Sequence, residues 1–129
     1  MGSSSSENIE LLFQKKTGLV RGWIGYTYGL TEFYFPDSTI NNGTIVMHNA
    51  VINSNVRVGM NCIINTNSLI EHDSVIGDNC HISTSSTINS TVKIGNNSFI
   101  GSGTIIKQCV NIGENCFILE NNTIQPFVS

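Results

Sequence analysis

The sequence has few charged residues and no excess of positive charge. Only 12% of its 129 residues are charged, and the formal net charge is -3 at pH 7. Binding to nucleic acid needs a basic patch, so this composition argues against nucleic acid as a partner. No apolar run approaches the roughly eighteen residues that a membrane-spanning helix requires, so we expect no membrane segment.

The sequence also contains no CxxC pair of cysteines. The four cysteines are Cys62, Cys80, Cys109 and Cys116. Their spacing supplies no pairs of zinc ligands, so we expect no metal. The start, MGSSSS, lacks the basic end and apolar centre of a secretion signal. We therefore expect a cytoplasmic protein with reduced thiols.

The sequence does contain a repeat of six residues. From Ile40 to Ile124 every sixth residue is Ile or Val, at fifteen positions without exception. The residue two positions earlier is small or short, and alternation in a strand points both side chains to the same side. Three hexads close a triangular coil in which residues eighteen apart stack at about 4.8 Å. The repeat thus predicts an all-β parallel β-helix of about five coils over residues 38–127.

The corners of these coils have their own sequence signal. The third residue after the aliphatic position is Asn, Asp or Gly in eleven of the fifteen hexads. These residue types tolerate the positive φ that a tight corner requires. We therefore expect a turn at this position of every hexad.

Residues 1–37 do not follow the repeat. The spacing of Ile9, Leu12, Phe13 and Lys16 predicts a short helix over residues 8–16, and residues 22–36 hold the only Trp and all three Tyr. We expect residues 1–37 to form a leader and a short helical or irregular cap. This cap would cover the first coil, whose core and strand edges would otherwise be exposed.

The residue before each aliphatic position points outward, which gives the coil three outer faces. The first face is mostly polar and the third is mixed. The second face is an apolar stripe formed by Ile45, Ile63, His81, Phe99 and Phe117. Soluble monomers rarely expose such a stripe, so we expect a homotrimer that associates through it. The alternative is that the leader folds over the stripe.

Two histidines are candidates for chemistry. His72 stands between Glu71 and Asp73 near a corner, and a carboxylate partner that fixes the imidazole tautomer suits a general base. His81 lies half a coil further on, so the two histidines would meet only across a subunit interface. The alternatives are a surface histidine in a polar turn and a histidine packed in an interface. A zinc site built from His48, His72 and His81 is disfavoured, because their spacings of 24 and 9 residues do not converge.

Three segments resemble a known enzyme family. They are NTNSLIEHDSVIGDNCHIS (residues 65–83), VKIGNNSFIGSGTIIK (residues 92–107) and IGENCFI (residues 112–118). Together they resemble the sugar acyltransferases of the sialic acid O-acetyltransferase and UDP-bacillosamine N-acetyltransferase family. The resemblance covers about residues 36–118. It implies a left-handed β-helix, a trimer, and acetyl-CoA as co-substrate. The implied activity is acetyl transfer to an amino or hydroxyl group of a sugar or nucleotide sugar.

The resemblance also implies roles for individual residues. His72 would be the general base and Asp73 its orienting partner. Asn65 and Glu71 would support the site. The binding of acetyl-CoA would fall to residues near the thioester and the pantetheine arm, namely His81, Ser90, Thr91, Gly101 and Ser102.

The sequence departs from the family pattern at three places. Ser90 replaces an expected glycine in the segment INST, residues 88–91, and residues 1–37 contain no GxGxxG motif for a nucleotide-binding domain. The sequence also stops at LENNTIQPFVS, where members of that family continue for further coils, so we expect a truncated member. The alternative function is therefore a non-catalytic β-helix scaffold or a remnant of such an enzyme.

Overall fold

The computed structural model of the protein describes residues 24–27, 30–35 and 37–126. Within these residues the structure consists of short strands joined by turns, without a helix. The strands are β1 (Ile24–Thr27), β2 (Leu30–Tyr34), β3 (Thr39–Ile40), β4 (Ile45–Val46), β5 (Val51–Ile52), β6 (Arg57–Val58), β7 (Ile63–Ile64), β8 (Leu69–Ile70), β9 (Val75–Ile76), β10 (His81–Ile82), β11 (Thr87–Ile88), β12 (Lys93–Ile94), β13 (Phe99–Ile100), β14 (Ile105–Ile106), β15 (Asn111–Ile112), β16 (Phe117–Ile118) and β17 (Thr123–Ile124).

The strands of the repeat form three parallel sheets, one for each predicted face. The first face contains β3, β6, β9, β12 and β15, the second β4, β7, β10, β13 and β16, and the third β5, β8, β11, β14 and β17. On the second face His81 pairs with Ile63 on one side and with Phe99 on the other. This is the eighteen-residue register of the prediction. The predicted parallel β-helix of about five coils is confirmed.

The Ile and Val residues of the repeat stack in rows, here called the aliphatic ladder, that fill the interior of the coils. From Ile52 to Ile106 every aliphatic position is at most 2% exposed. Ile112, Ile118 and Ile124 are only partly buried, because they belong to the last coil and no further coil covers them within the described residues. The ladder is therefore closed in the middle and open at the end of the described chain.

The small residues inside the coil connect it to the next coil. The thiol of Cys62 donates to the carbonyl oxygen of Gly77 at 3.0 Å, and that of Cys80 donates to Gly95 at 3.1 Å. Ser74 does the same with its hydroxyl, which donates to the carbonyl oxygen of Asn89 at 2.7 Å. All four cysteines are free thiols, and Cys62 and Cys80 are buried. These two cysteines act as packing residues, as their place in the repeat predicts.

The corner residues adopt the left-handed conformation that the sequence pattern predicts. The third residue after the aliphatic position has a φ between 56° and 79° at every described corner. Most of these residues are Asn, Asp or Gly, which enter this region at low cost. Thr91, at a φ of 59°, is the β-branched exception.

The Thr91→Asn variant is expected to be more stable than the native chain. A β-branched residue is strained at positive φ, and asparagine relieves part of a cost of about 1–2 kcal/mol. Chemical denaturation measures the change in the free energy of unfolding. Thr87→Asn is the matched control, because Thr87 lies in a strand, where asparagine is unfavourable. Equal effects of the two substitutions would contradict this account of the corner.

The N-terminal side of the β-helix carries a hairpin. Strands β1 and β2 pair antiparallel, and β2 pairs in parallel with β5, where Phe33 lies opposite Val51. The hairpin thus continues the sheet of the third face beyond β5, on the N-terminal side of the first coil. The predicted helix over residues 8–16 lies outside the described residues. The assignment of residues 1–37 to a cap stays a prediction.

Candidate functional site

His72 and Asp73 form a hydrogen-bonded pair at an exposed corner. The corner follows β8, and the Nδ1 atom of His72 lies 2.9 Å from Oδ2 of Asp73. The His72 side chain is 58% exposed. Since Nδ1 is engaged by the carboxylate, Nε2 is the ring atom available to a ligand. The corner therefore presents one imidazole nitrogen in a fixed orientation.

A second hydrogen bond holds Asp73 from the preceding coil. Asn55 occupies the same corner position one coil earlier, and its Nδ2 donates to Oδ1 of Asp73 at 2.7 Å. Hydrogen bonds from Asn55 and then from His72 lower the pKa of Asp73 below its ordinary value of 3.8. The carboxylate is therefore ionised at neutral pH, with one oxygen for each partner.

The Asn55→Ala variant is expected to raise the pKa of Asp73, because the largest stabilising contact of the carboxylate is lost. A depressed native pKa stabilises the fold above the unfolded value, and this contribution disappears as the pH falls through the native value. A carbon-13 NMR titration of the Asp73 carboxyl group below pH 5 measures the change. Asn79→Ala is the matched control, since Asn79 makes the equivalent contact with Asn97 at another corner. An unchanged Asp73 titration in Asn55→Ala would contradict the assignment.

A groove of about 450 Å³ opens beside this pair. Its lining combines one aromatic ring with polar and acidic groups. The lining residues are Phe35, Asn53, Ser54, Glu71, His72 and Asp73. Asn53 donates through Nδ2 to Oε1 of Glu71 at 2.5 Å, which holds the carboxylate against the wall of the groove. The groove has the mixture of apolar and hydrogen-bonding surface that a small polar ligand requires.

His81 and Asn65 form a second group, on the edge of the second face. Nδ2 of Asn65 lies 3.2 Å from Nε2 of His81. The His81 ring also packs edge-on against Phe99, with ring centroids 5.1 Å apart. Burial lowers the pKa of His81 below its ordinary value of 6.5. This histidine is therefore neutral at physiological pH.

The second group continues along the same edge towards the end of the β-helix. Ser102 lies within 2.8 Å of the hydroxyl of Ser83. Gly101 and Ser102 line a cavity of about 220 Å³ together with Phe99, Phe117, Leu119 and Glu120. Gly101 also has a packing role, because a Cβ atom there would lie 2.5 Å from the backbone nitrogen of Glu120. A glycine here is explained by the close approach of the next coil.

The predicted site residues fall into two groups within one chain. Glu71, His72 and Asp73 lie at the corner after the third face, and Thr91 lies one coil above them, where its backbone N–H donates to the carbonyl oxygen of His72 at 3.1 Å. Ser90 precedes Thr91 in that coil. Asn65, His81, Gly101 and Ser102 lie along the edge of the second face. The structure does not bring the two groups together in a single chain.

Sequence reasoning missed three contributors to the corner site. Asn53 and Asn55 lie one coil before Glu71 and Asp73, and Phe35 lies one coil before Asn53 and lines the same groove. The signal was available for the two asparagines, because residues eighteen positions apart stack in this fold. Phe35 precedes the repeat, so the period of six residues did not predict its position.

The described part of the chain contains no group of three His, Cys, Asp or Glu side chains that could hold a metal ion. Nor does it contain a helix that is long and apolar enough to cross a membrane. His48 lies at the corner after β4, one coil before Thr66, and its Nδ1 is buried without a hydrogen-bond partner among the described residues.

Comparison with known proteins identifies the repeat and the fold. Residues 73–108 match the family model "Bacterial transferase hexapeptide (six repeats)". No curated protein matches the sequence. Among solved structures, the acetyltransferase domain of PglB from Neisseria gonorrhoeae is 26% identical, with a TM-score of 0.58 over 75% of this chain and 55% of that domain. The same domain in complex with acetyl coenzyme A is matched at 24% identity and a TM-score of 0.54, over 74% of this chain and 54% of that one.

A third structure is a variant of perosamine N-acetyltransferase from Caulobacter crescentus, in complex with CoA and GDP-perosamine. It is 23% identical, with a TM-score of 0.60 over 74% of this chain and 48% of that protein. This chain thus spans about half the length of each of these three solved structures. It contains the hexapeptide repeat of bacterial transferases, and it shares its β-helix with these acetyltransferases.

Proposed function

We propose that the protein transfers an acetyl group from acetyl-CoA to an amino or hydroxyl group of a sugar or nucleotide sugar. The observation that carries this proposal is the His72–Asp73 pair, held by Asn55 and open to a groove. The similarity of the β-helix to acetyltransferases, one of them in complex with acetyl coenzyme A, supports the acetyl donor.

In this reaction His72 acts as the general base. Asp73 fixes its ring through Nδ1, so that Nε2 accepts the proton of the attacking amino or hydroxyl group. The acceptor lies in the groove, where Phe35 offers an apolar surface and Glu71 a hydrogen-bond acceptor. The acceptor's nitrogen or oxygen bonds to the acetyl carbon as the carbon–sulfur bond breaks, and His72 passes its proton to the departing thiolate.

The acetyl donor would lie along the edge of the second face and reach the neighbouring corner. Bound acetyl-CoA supplies an activated acetyl thioester. Gly101 and Ser102 line an open cavity there, and His81 presents a half-buried, neutral ring beside it. Ser90 and Thr91, one coil above His72, would complete the pantetheine groove. These small and polar groups fit a narrow, amide-containing chain.

The proposed site requires a second copy of the chain. His72 and His81 occupy different parts of the coil, so a complete site forms where the corner of one subunit meets the second face of its neighbour. The exposure of Ile45 (53%) and Phe117 (68%), and the stacking of Phe99 on Phe117, support a contact through this face. A cyclic trimer closes this contact with three equivalent sites. We place the reaction in the cytoplasm, where thiols such as those of Cys62 and Cys80 stay reduced.

One observation favours a scaffold without activity as the second candidate. Ser90 stands one coil above His72, where the enzyme family that the sequence resembles is expected to have a glycine. A side chain at a point of close approach to the thioester would hinder its entry. The Ser90→Gly variant would then bind acetyl-CoA more tightly than the native protein.

Isothermal titration calorimetry with acetyl-CoA tests the proposal. Saturable heat is expected for the native protein and for Asn111→Ala, with affinity lowered by about tenfold in His81→Ala, as for loss of one buried hydrogen bond. Asn111→Ala is the control, because Asn111 is exposed on the first face and lies in neither group of site residues. Heat equal to that of buffer, from a folded protein, would favour the scaffold.

A further inference from the structure

We propose that Asn65 is a positioning residue that holds His81 as a neutral imidazole with its proton on Nδ1. In this state His81 donates a hydrogen bond to a carbonyl oxygen of the acyl donor. The first statement concerns the protein alone, and the second rests on the proposed function.

The orientation of the Asn65 amide follows from its backbone neighbour. The N–H of Thr66 donates to Oδ1 of Asn65 at 2.7 Å. A backbone N–H can only donate, so the oxygen of the side-chain amide must face it. The amide NH2 group is thereby directed to the opposite side.

The orientation of Asn65 then determines the tautomer of His81. Its Nδ2 lies 3.2 Å from Nε2 of His81. The NH2 group can only donate, so Nε2 must be the unprotonated, accepting nitrogen of the ring. A neutral imidazole with an unprotonated Nε2 carries its proton on Nδ1. If His81 were a charged imidazolium, Nε2 would also carry a proton, and it would face the N–H groups of Asn65 with no acceptor between them.

The surroundings of His81 favour the same state. The ring is partly buried between Ile63 and Phe99, its partners on the neighbouring strands. It meets Phe99 edge-on at an interplanar angle of 89°. Burial disfavours the charged imidazolium and lowers the pKa of His81. These contacts fix the orientation of the ring, while the amide of Asn65 determines which ring nitrogen carries the proton.

The consequence is a fixed hydrogen-bond donor at the second face. No described residue accepts a hydrogen bond from Nδ1–H of His81, so this donor is open to solvent or to a bound ligand. A neutral donor matches a neutral acceptor, such as the carbonyl oxygen of a thioester or of an amide in the acyl donor. His81 would therefore recognise the acyl arm by a carbonyl group, without a charge.

The tautomer is tested by long-range proton–nitrogen NMR of the free protein at neutral pH. We expect an unprotonated Nε2 in the native protein. In Asn65→Asp the introduced carboxylate still accepts from Thr66, and its other oxygen accepts from the ring. Nε2 should therefore become protonated. A protonated Nε2 in the native protein, or the same state in both proteins, would overturn the role of Asn65.

The donor role is tested by titrating acetyl-CoA into the same proteins. We expect about tenfold weaker binding to Asn65→Asp, the loss of one hydrogen bond, and unchanged binding to Asn111→Asp. Asn111 is the matched control, since it lies exposed on the first face. Equal affinity in the two variants would overturn the donor role. Absence of binding to the native protein would overturn the proposed function, while the NMR result would still decide the tautomer. Asn65→Ala, with both tautomers populated, replaces Asn65→Asp if that variant does not fold.

Discussion

The Ile82→Asp variant is expected to remain unfolded. Ile82 is fully buried in the middle of the β-helix, between Ile64 of one coil and Ile100 of the next. The substitution removes about 1.5–3 kcal/mol of apolar burial and places a carboxylate where no partner exists. Because the total stability of a domain is about 5–15 kcal/mol, the combined cost removes most or all of it.

Circular dichroism at increasing temperature measures this effect. The strand signal of Ile82→Asp should be absent, or should melt far below that of the native protein. Lys93→Asp is the matched control, because Lys93 points outward from a strand of the same kind and is exposed. A native melt for Ile82→Asp beside a large loss for Lys93→Asp would contradict the register of the coils.

The His72→Ala variant is expected to lose activity without losing the fold. A general base contributes about 10²–10⁴-fold to a reaction rate, so kcat for acetyl transfer should fall by this factor. The His72 side chain is 58% exposed and lies outside the aliphatic ladder, so its removal leaves the core intact. Release of the free CoA thiol in the presence of an amino-sugar acceptor measures the rate.

The comparison variant for this experiment is Asn79→Ala, which removes a corner side chain of the same coil away from the groove. Its rate should match that of the native protein, whereas its melting temperature should fall slightly, because Ala is strained at the positive φ of this corner and the contact with Asn97 is lost. Acetyl-CoA binding by His72→Ala should also be kept, since His72 is assigned to proton transfer. A native rate in His72→Ala would remove this residue from the mechanism.

Much of the fold follows from the sequence, because the structure of a parallel β-helix depends mainly on the period of its repeat. Once the period is six, the residues that stack are fixed, and Ile63, His81 and Phe99 share a face by counting alone. The left-handed corners are equally local, since Asn, Asp and Gly mark the position where the chain must turn. The family resemblance then predicts His72 as the general base and Asp73 as its orienting partner.

The contacts between side chains could not be predicted in the same way. Asn65 bonds His81 sixteen residues later, across the register, because the corner turns its amide back onto the second face. The β1–β2 hairpin has no repeat to define its pairing. The partial burial of Ile112, Ile118 and Ile124 reflects their place at the end of the stack, which the identical hexad pattern conceals.

The eighteen-residue pairing of the coils has a consequence for insertions and deletions. An insertion of eighteen residues would add one coil and leave every later residue on its face. An insertion of six would keep the ladder intact but rotate everything beyond it by one face, so that the aromatic rings of Phe99 and Phe117 would move away from the stripe that contains His81. The number of residues inserted thus determines the face on which every later residue lies. The core tolerates any whole number of hexads, whereas the surface chemistry tolerates only multiples of three.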